Sequence, residues 1–170
     1  MKKTIIFGLL LAVVFAGCQK SEEEDDNNDP QKIGIVGEWY SSGDNVAPLL
    51  VTYFKVDSIY SKFDSNNTYL VESFAEGTKT TYKGTYSQEN SGFGTIWNII
   101  LNQTTPTAVT SEGIFEISVD VDPYTMQYEV TQTQPDIGAT APTAESGFGS
   151  TSGGVLGMMN VQKFVKLADI

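Results

Sequence analysis

The chain has 170 residues, with 21 acidic and 10 basic side chains and a formal net charge of −11. This charge makes nucleic acid an unfavourable partner, because phosphate binding needs clustered lysine and arginine. All the basic residues are lysines and histidine is absent, so the commonest general base and the bidentate phosphate clamp are both missing. A Ser-His-Asp or Cys-His arrangement is excluded. We predict a protein that is not an enzyme, with no catalytic residue, metal site or cofactor.

The N-terminal segment has the layout of a secretory signal peptide. Two lysines precede an apolar run over residues 4–15, which is too short to cross a bilayer, since a spanning helix needs about 20 residues. Small residues follow and end at Gly17 and Cys18, the only cysteine in the chain. We predict a signal peptide over residues 1–17, cleaved between Gly17 and Cys18.

The residues around this cleavage point resemble the lipobox of bacterial lipoproteins. In Phe15-Ala16-Gly17-Cys18, only Phe15 departs from the usual pattern, which has leucine at that position. The resemblance implies that Cys18 carries the lipid anchor, because several acyl chains on one residue hold a protein at a membrane where a single chain binds only marginally. A lipidated Cys18 leaves no thiol for a disulfide or a zinc site. The alternative is an ordinary signal peptide followed by a chance cysteine.

An acidic tether is predicted over residues 18–32. Residues 19–32 read QKSEEEDDNNDPQK, with six acids and no apolar side chain, a composition typical of disorder. The run over 21–26 resembles the export signal that carries lipoproteins of the Bacteroidetes to the outer face of the outer membrane. We therefore expect an outer-membrane, surface-exposed lipoprotein. A protein that faces the periplasm on an acidic linker is the alternative.

From Ile33 onward the apolar residues alternate with period two, which is the pattern of half-buried strands. Turn signals such as Asp64-Ser65-Asn66-Asn67 separate these segments, and no segment shows helical periodicity. The pattern predicts one domain over 33–170: an all-β, antiparallel, up-and-down barrel of about eight strands, or alternatively a β-sandwich. The predicted strands cover residues 33–40, 51–63, 68–76, 79–88, 95–102, 114–121, 125–133 and 159–167. In the strand over 114–121, the side chains predicted to face inward are Phe115, Ile117, Val119 and Val121.

One long connection, residues 134–157, is dense in glycine, proline, serine, threonine and alanine. Loops of this length without secondary structure are uncommon in compact domains and are often functional or disordered. We consider two interpretations: a mobile flap over one end of the domain that carries Phe148, and a disordered loop without a role.

Several short motifs resemble those of lipocalin-like domains. Gly37-Glu38-Trp39 matches the G-x-W signature that opens such barrels, and residues 63–69 (FDSNNTY) match their second-hairpin motif. Residues 83–86 (KGTY) resemble the strand that follows, and residues 160–167 form a closing strand. The resemblance implies a lipocalin-like barrel in which Trp39 closes one end as part of the core.

The chain departs from the classical pattern in lacking the late arginine that covers this tryptophan. Lys163 or Lys166 is expected to cover Trp39 instead, through its aliphatic stem and a cation–π contact.

An eight-stranded barrel is wide enough to hold one small ligand or to be filled by side chains. The leading prediction is non-catalytic binding of a small apolar or glycan-derived molecule. Alternatives are a structural or adhesive β-sandwich lipoprotein that contacts macromolecules through its loops, and a hydrolase that uses a carboxylate pair such as Asp120 and Asp122. The candidate ligand-binding residues are the strand aromatics Tyr53, Tyr69, Tyr82, Tyr86 and Trp97.

Overall fold

A computed structural model describes residues 34–167, which form a closed antiparallel barrel of eight strands in sequence order. The barrel closes where the first strand pairs with the last, with Trp39 opposite Lys166 and Tyr40 opposite Val165. The prediction of an all-β up-and-down barrel is confirmed, and the sandwich alternative is wrong. The strands are β1 (Gly37–Ser42), β2 (Val56–Phe63), β3 (Thr68–Ala75), β4 (Thr78–Asn90), β5 (Ile96–Thr105), β6 (Val109–Ser118), β7 (Thr125–Gln134) and β8 (Gln162–Lys166).

Alternation of buried and outward-facing residues fixes which side of each strand faces the barrel interior. In β2, the side chains of Ile59, Ser61 and Phe63 are buried, whereas Tyr60 and Lys62 between them are partly exposed. The same alternation continues around the barrel and produces one core inside it.

The two ends of the barrel differ. The floor end holds the chain entry and the β2–β3, β4–β5 and β6–β7 turns. Ile35 and Trp39 are almost completely buried there, and the Trp39 Nε1–H donates to the Ile35 carbonyl oxygen at 2.8 Å. Trp39 therefore lies in the core. The cation–π contact expected at Trp39 is found elsewhere: Lys166 Nζ lies 5.7 Å from the centre of the Tyr124 ring.

The mouth end holds the β1–β2, β3–β4, β5–β6 and β7–β8 connections. The β1–β2 connection contains helix α1 (Pro48–Phe54), so the predicted strand over 51–63 is correct only from Val56 onward. Pro48 at the first turn is pre-organised for a helix, and Lys55, with φ of 55°, ends the helix in a left-handed conformation. The sequence analysis predicted no helix in the domain, and this prediction is wrong for residues 48–54.

The sixth strand is also shifted from its predicted position. It runs over Val109–Ser118, so Phe115 and Ile117 are buried as predicted. Val119 and Val121 are 37% and 47% exposed in the β6–β7 turn, and the prediction that they face inward is wrong. The alternation continues past the strand end in the sequence, but the strand stops where the floor turn begins.

The long β7–β8 connection follows the outer wall of the barrel. It contains two short 3-10 helices, Thr151–Gly154 and Gly157–Asn160. Of the two interpretations considered, the disordered loop is wrong, because the connection makes specific hydrogen bonds with β7 that are described below. Phe148 within it is half-buried.

Candidate ligand cavity

The barrel interior holds a half-open cavity of about 240 Å³. Pockets for drug-sized ligands usually measure about 300–1,000 Å³, so this cavity suits a smaller molecule. Its lining comes from seven of the eight strands, from the start of α1, and from the end of the β7–β8 connection. The lining residues are Ala47, Leu50, Ile59, Ser61, Phe63, Tyr69, Val71, Tyr82, Leu101, Gln103, Ser111, Tyr128, Val130, Asn160, Gln162 and Phe164.

None of these lining side chains carries a charge. The apolar contribution comes from branched aliphatic and aromatic side chains, and the polar contribution from hydroxyls and amides. No carboxylate lies in this lining, and Asp120 and Asp122, the pair considered for a hydrolase, lie exposed in the turn at the opposite end of the barrel. The cavity therefore offers packing and hydrogen bonds but no ion pair.

Three tyrosines bring hydroxyl groups to the cavity wall. Burial raises the pKa of Tyr69 to about 12. Burial is also the main cause that raises the pKa of Tyr128, and the electrostatic interaction with Tyr69 raises it further. Tyr82 also lines the cavity. Within residues 34–167 the structure gives no hydrogen bond to the hydroxyls of Tyr69, Tyr82 or Tyr128. The raised pKa values keep Tyr69 and Tyr128 protonated at neutral pH. The hydroxyls of all three tyrosines are available to a ligand as donors and acceptors.

The side-chain amide of Gln162 fixes the β1–β2 connection at the mouth. Its Oε1 accepts a hydrogen bond from the Ala47 N–H at 2.8 Å, just before α1 begins. Its Nε2 donates to the Asn45 carbonyl oxygen at 3.0 Å and to the Ser41 hydroxyl. Because Ala47 and Leu50 line the cavity, these bonds hold the start of α1 over its mouth.

A buried carboxylate holds the β7–β8 connection against the outer wall. Glu129 is 0% exposed. Its Oε2 accepts from the Gly149 N–H at 2.6 Å, and its Oε1 accepts from the Thr151 N–H at 3.1 Å and the Thr151 hydroxyl at 2.6 Å. Asn160 extends this contact by donating from Nδ2 to the Val130 carbonyl oxygen and to Thr151 Oγ1. Thus the connection that supplies Asn160 to the cavity is anchored through β7.

The structure brings two of the candidate ligand-binding residues, Tyr69 and Tyr82, into the cavity lining. Tyr86 lies below it, where its hydroxyl donates to the Asp64 carbonyl oxygen at 3.0 Å. Trp97 stacks on Phe115 at 5.9 Å between ring centres and packs against the core.

Tyr53, the remaining candidate, does not line the cavity. It is 69% exposed on α1, because the predicted strand is a helix at this position.

Several lining residues were missed by the sequence analysis. Tyr128 lies within a correctly predicted strand, on the same side as Met126 and Val130, so alternation alone marks it as inward. Gln103 and Ser111 lie in the parts of β5 and β6 that extend beyond the predicted strands. Gln162 carried no signal, because a lone glutamine in a strand does not reveal whether it faces inward.

No protein-family model matches the chain, and searches of curated proteins and of solved structures gave no match. Across residues 34–167, no group of three potential metal-ligating side chains is present, and no helix is long and apolar enough to cross a membrane. Gly17, Cys18, the predicted signal peptide and the tether lie outside the described residues.

Proposed function

We propose that this protein is a non-catalytic binding protein that holds one small molecule inside its barrel. The observation that carries the proposal is the half-open, uncharged and largely apolar cavity of about 240 Å³, with unpaired tyrosine hydroxyls in its wall. A concave apolar site with a few convergent polar groups is the usual form of a ligand site. The lipocalin-like motifs of the sequence support the same function.

Native mass spectrometry of the full protein, purified from its own host, tests this proposal. We expect a bound small molecule whose signal disappears when the cavity is filled by Val130→Trp. The matched control is Thr131→Trp, which places the same side chain on the next residue of β7, a half-buried position outside the cavity lining. A folded protein that carries no small molecule from its host would overturn the proposal.

We propose further that Cys18 carries a lipid and holds the barrel at the outer membrane, on the cell surface. The lipobox-like sequence and the acidic run over 21–26 support this location, and the charge of −11 makes direct adsorption to anionic lipid unfavourable. Cys18→Ala is expected to move the protein out of the membrane fraction. Surface exposure predicts digestion by protease added to intact cells, and neutralising residues 22–26 is expected to abolish that digestion while membrane association remains.

An adhesive role is the second candidate, favoured by apolar side chains exposed on α1 and on the β7–β8 connection, whose second 3-10 helix lies beside α1. Tyr53 and Phe54 on α1 are 69% and 62% exposed, and Val155 and Met158 on the β7–β8 connection are 82% and 54% exposed. Exposed apolar groups gathered on one surface often mark a contact with another macromolecule. Under this alternative, the double variant Tyr53→Ser and Val155→Ser would abolish attachment of the cells to their substratum. Cells that carry the Val130→Trp variant would still attach.

A further inference from the structure

The charge pattern of the lining restricts what the cavity can hold. All the lining residues are neutral, and the chain contains neither arginine nor histidine. An ionised group enclosed there would lose its hydration without gaining a counter-ion, which is strongly unfavourable in a largely apolar site. Fatty acids and amines that must enter the cavity completely are therefore poor candidates.

The hydroxyls of the lining restrict the ligand further. Within residues 34–167, no hydrogen bond satisfies the side-chain hydroxyls of Tyr69, Tyr82, Tyr128, Ser61 or Ser111. A purely hydrocarbon ligand would displace water from these groups and leave them unpaired, which is unfavourable. A ligand with its own hydroxyl or carbonyl group would pair with them and keep its apolar part against the aliphatic side chains.

The size of the cavity favours a small ligand. Its volume of about 240 Å³ lies below the range of about 300–1,000 Å³ that is usual for pockets of drug-sized ligands. From charge, hydroxyls and volume together, we propose that the ligand is a compact, uncharged molecule with an apolar body and a hydroxyl or carbonyl group that hydrogen-bonds to the cavity tyrosines. This inference rests on the proposed binding function and names the chemical class of its ligand.

Equilibrium dialysis of the full chain in lipid nanodiscs tests the charge preference. The probes are p-methylbenzyl alcohol, p-methylbenzoate and p-methylbenzylamine, which share one ring and differ in charge near neutral pH. The signal is the difference between the unsubstituted protein and Val130→Trp, which cancels uptake by lipid. Ser111→Phe is a second filling variant for the case in which Val130→Trp unfolds. We expect the alcohol to bind at least about tenfold more tightly than either ion.

Binding of the amine distinguishes the effect of the cavity lining from the effect of the protein's overall electrostatic field. With a net charge of −11, the long-range field favours the amine and disfavours the benzoate. If the field governs binding, the amine binds most tightly and the inference is overturned. If the lining governs binding, the alcohol binds most tightly and both ions are rejected. Equal binding of all three probes also overturns the inference, while the proposed binding function stands. If no probe binds the unsubstituted protein more tightly than it binds the filled variants, the binding function itself is contradicted.

The role of the hydroxyls is tested by comparing p-methylbenzyl alcohol with p-xylene. Tyr69→Phe and Tyr128→Phe are each expected to weaken the alcohol by about two- to tenfold and to leave p-xylene unchanged or tighter. Tyr60→Phe is the matched control, because Tyr60 faces outward from β2. Equal losses for the alcohol and p-xylene in the cavity variants would show a packing effect and overturn the hydrogen-bonding role.

Discussion

Tyr128 and Glu129 are neighbours in β7, yet their side chains serve opposite faces of the barrel wall. Tyr128 lines the cavity, whereas Glu129 is fully buried on the outer side beneath the β7–β8 connection. The carboxylate of Glu129 accepts hydrogen bonds from Gly149 and Thr151. One strand therefore supplies a cavity hydroxyl and the anchor for the connection that ends at the mouth.

Glu129→Gln is expected to lower the free energy of unfolding by about 1.5–3 kcal/mol, because an amide N–H then faces a backbone N–H and a charge-assisted hydrogen bond is lost. Urea denaturation measures this change. Glu89→Gln, at an exposed position in β4, is the control and should change stability by less than about 0.5 kcal/mol. Equal stabilities of the two variants would contradict the anchoring role of Glu129.

Stability is expected to fall in alkaline solution because of Tyr69. Burial raises its pKa in the folded protein to about 12, from an ordinary value of 10.0. The folded state therefore holds the proton more tightly, and this stabilisation is complete below about pH 10 and is lost as the pH rises toward 12. Between about pH 9 and pH 11.5, unsubstituted protein should lose about 2 kcal/mol more than Tyr69→Phe.

Urea denaturation at the two pH values measures that difference. Tyr53→Phe is the matched control, since Tyr53 is 69% exposed on α1, and it should lose stability as the unsubstituted protein does. If Tyr69→Phe loses as much stability as Tyr53→Phe, Tyr69 does not stabilise the barrel in this way.

Gly84 is expected to tolerate no side chain. A Cβ atom there would lie 2.0 Å from the Asn102 carbonyl oxygen, where the register between β4 and β5 shifts. Gly84→Ala should destabilise the barrel by about 1–3 kcal/mol, as overpacking does. Thr85→Ala, at the exposed neighbouring position, should change stability by less than about 1 kcal/mol. Thermal unfolding of both variants decides the matter, and similar melting temperatures would be inconsistent with the close approach of β5.

Much of the barrel could be predicted because its signals are local. Alternation in β2 and β3, together with the turn at Asp64-Ser65-Asn66-Asn67, indicates a hairpin without reference to the rest of the chain. Gly84 belongs to the lipocalin-like KGTY motif, and its close contact with the backbone of β5 explains why a glycine stands at this position.

The helix at the mouth could not be predicted in this way. The segment PLLVTYF is rich in residues that favour strands, yet it forms α1, in which Leu50 packs against the core and Tyr53 faces solvent. Tertiary contact therefore overrides intrinsic propensity here. The prediction of Tyr53 as a cavity residue was wrong because it depended on the strand assignment.

The burial of Glu129 could not be predicted either. Alternation places Glu129 on the outer face of β7, which normally meets water, and the sequence gives no sign that residues 134–157 fold over it. Its hydrogen bonds reach 20 and 22 residues along the chain, to Gly149 and Thr151. Such long-range pairing of a side chain with loop backbone leaves no periodic signal.

Intermolecular nuclear Overhauser effects between p-methylbenzyl alcohol and the methyl groups of the protein test the existence of an internal binding site most directly. We predict contacts from the ligand ring to the cavity methyls of Leu50, Val71 and Val130. Contacts confined to the exposed methyls of Val51 on α1 and Val155 on the β7–β8 connection would contradict an internal site.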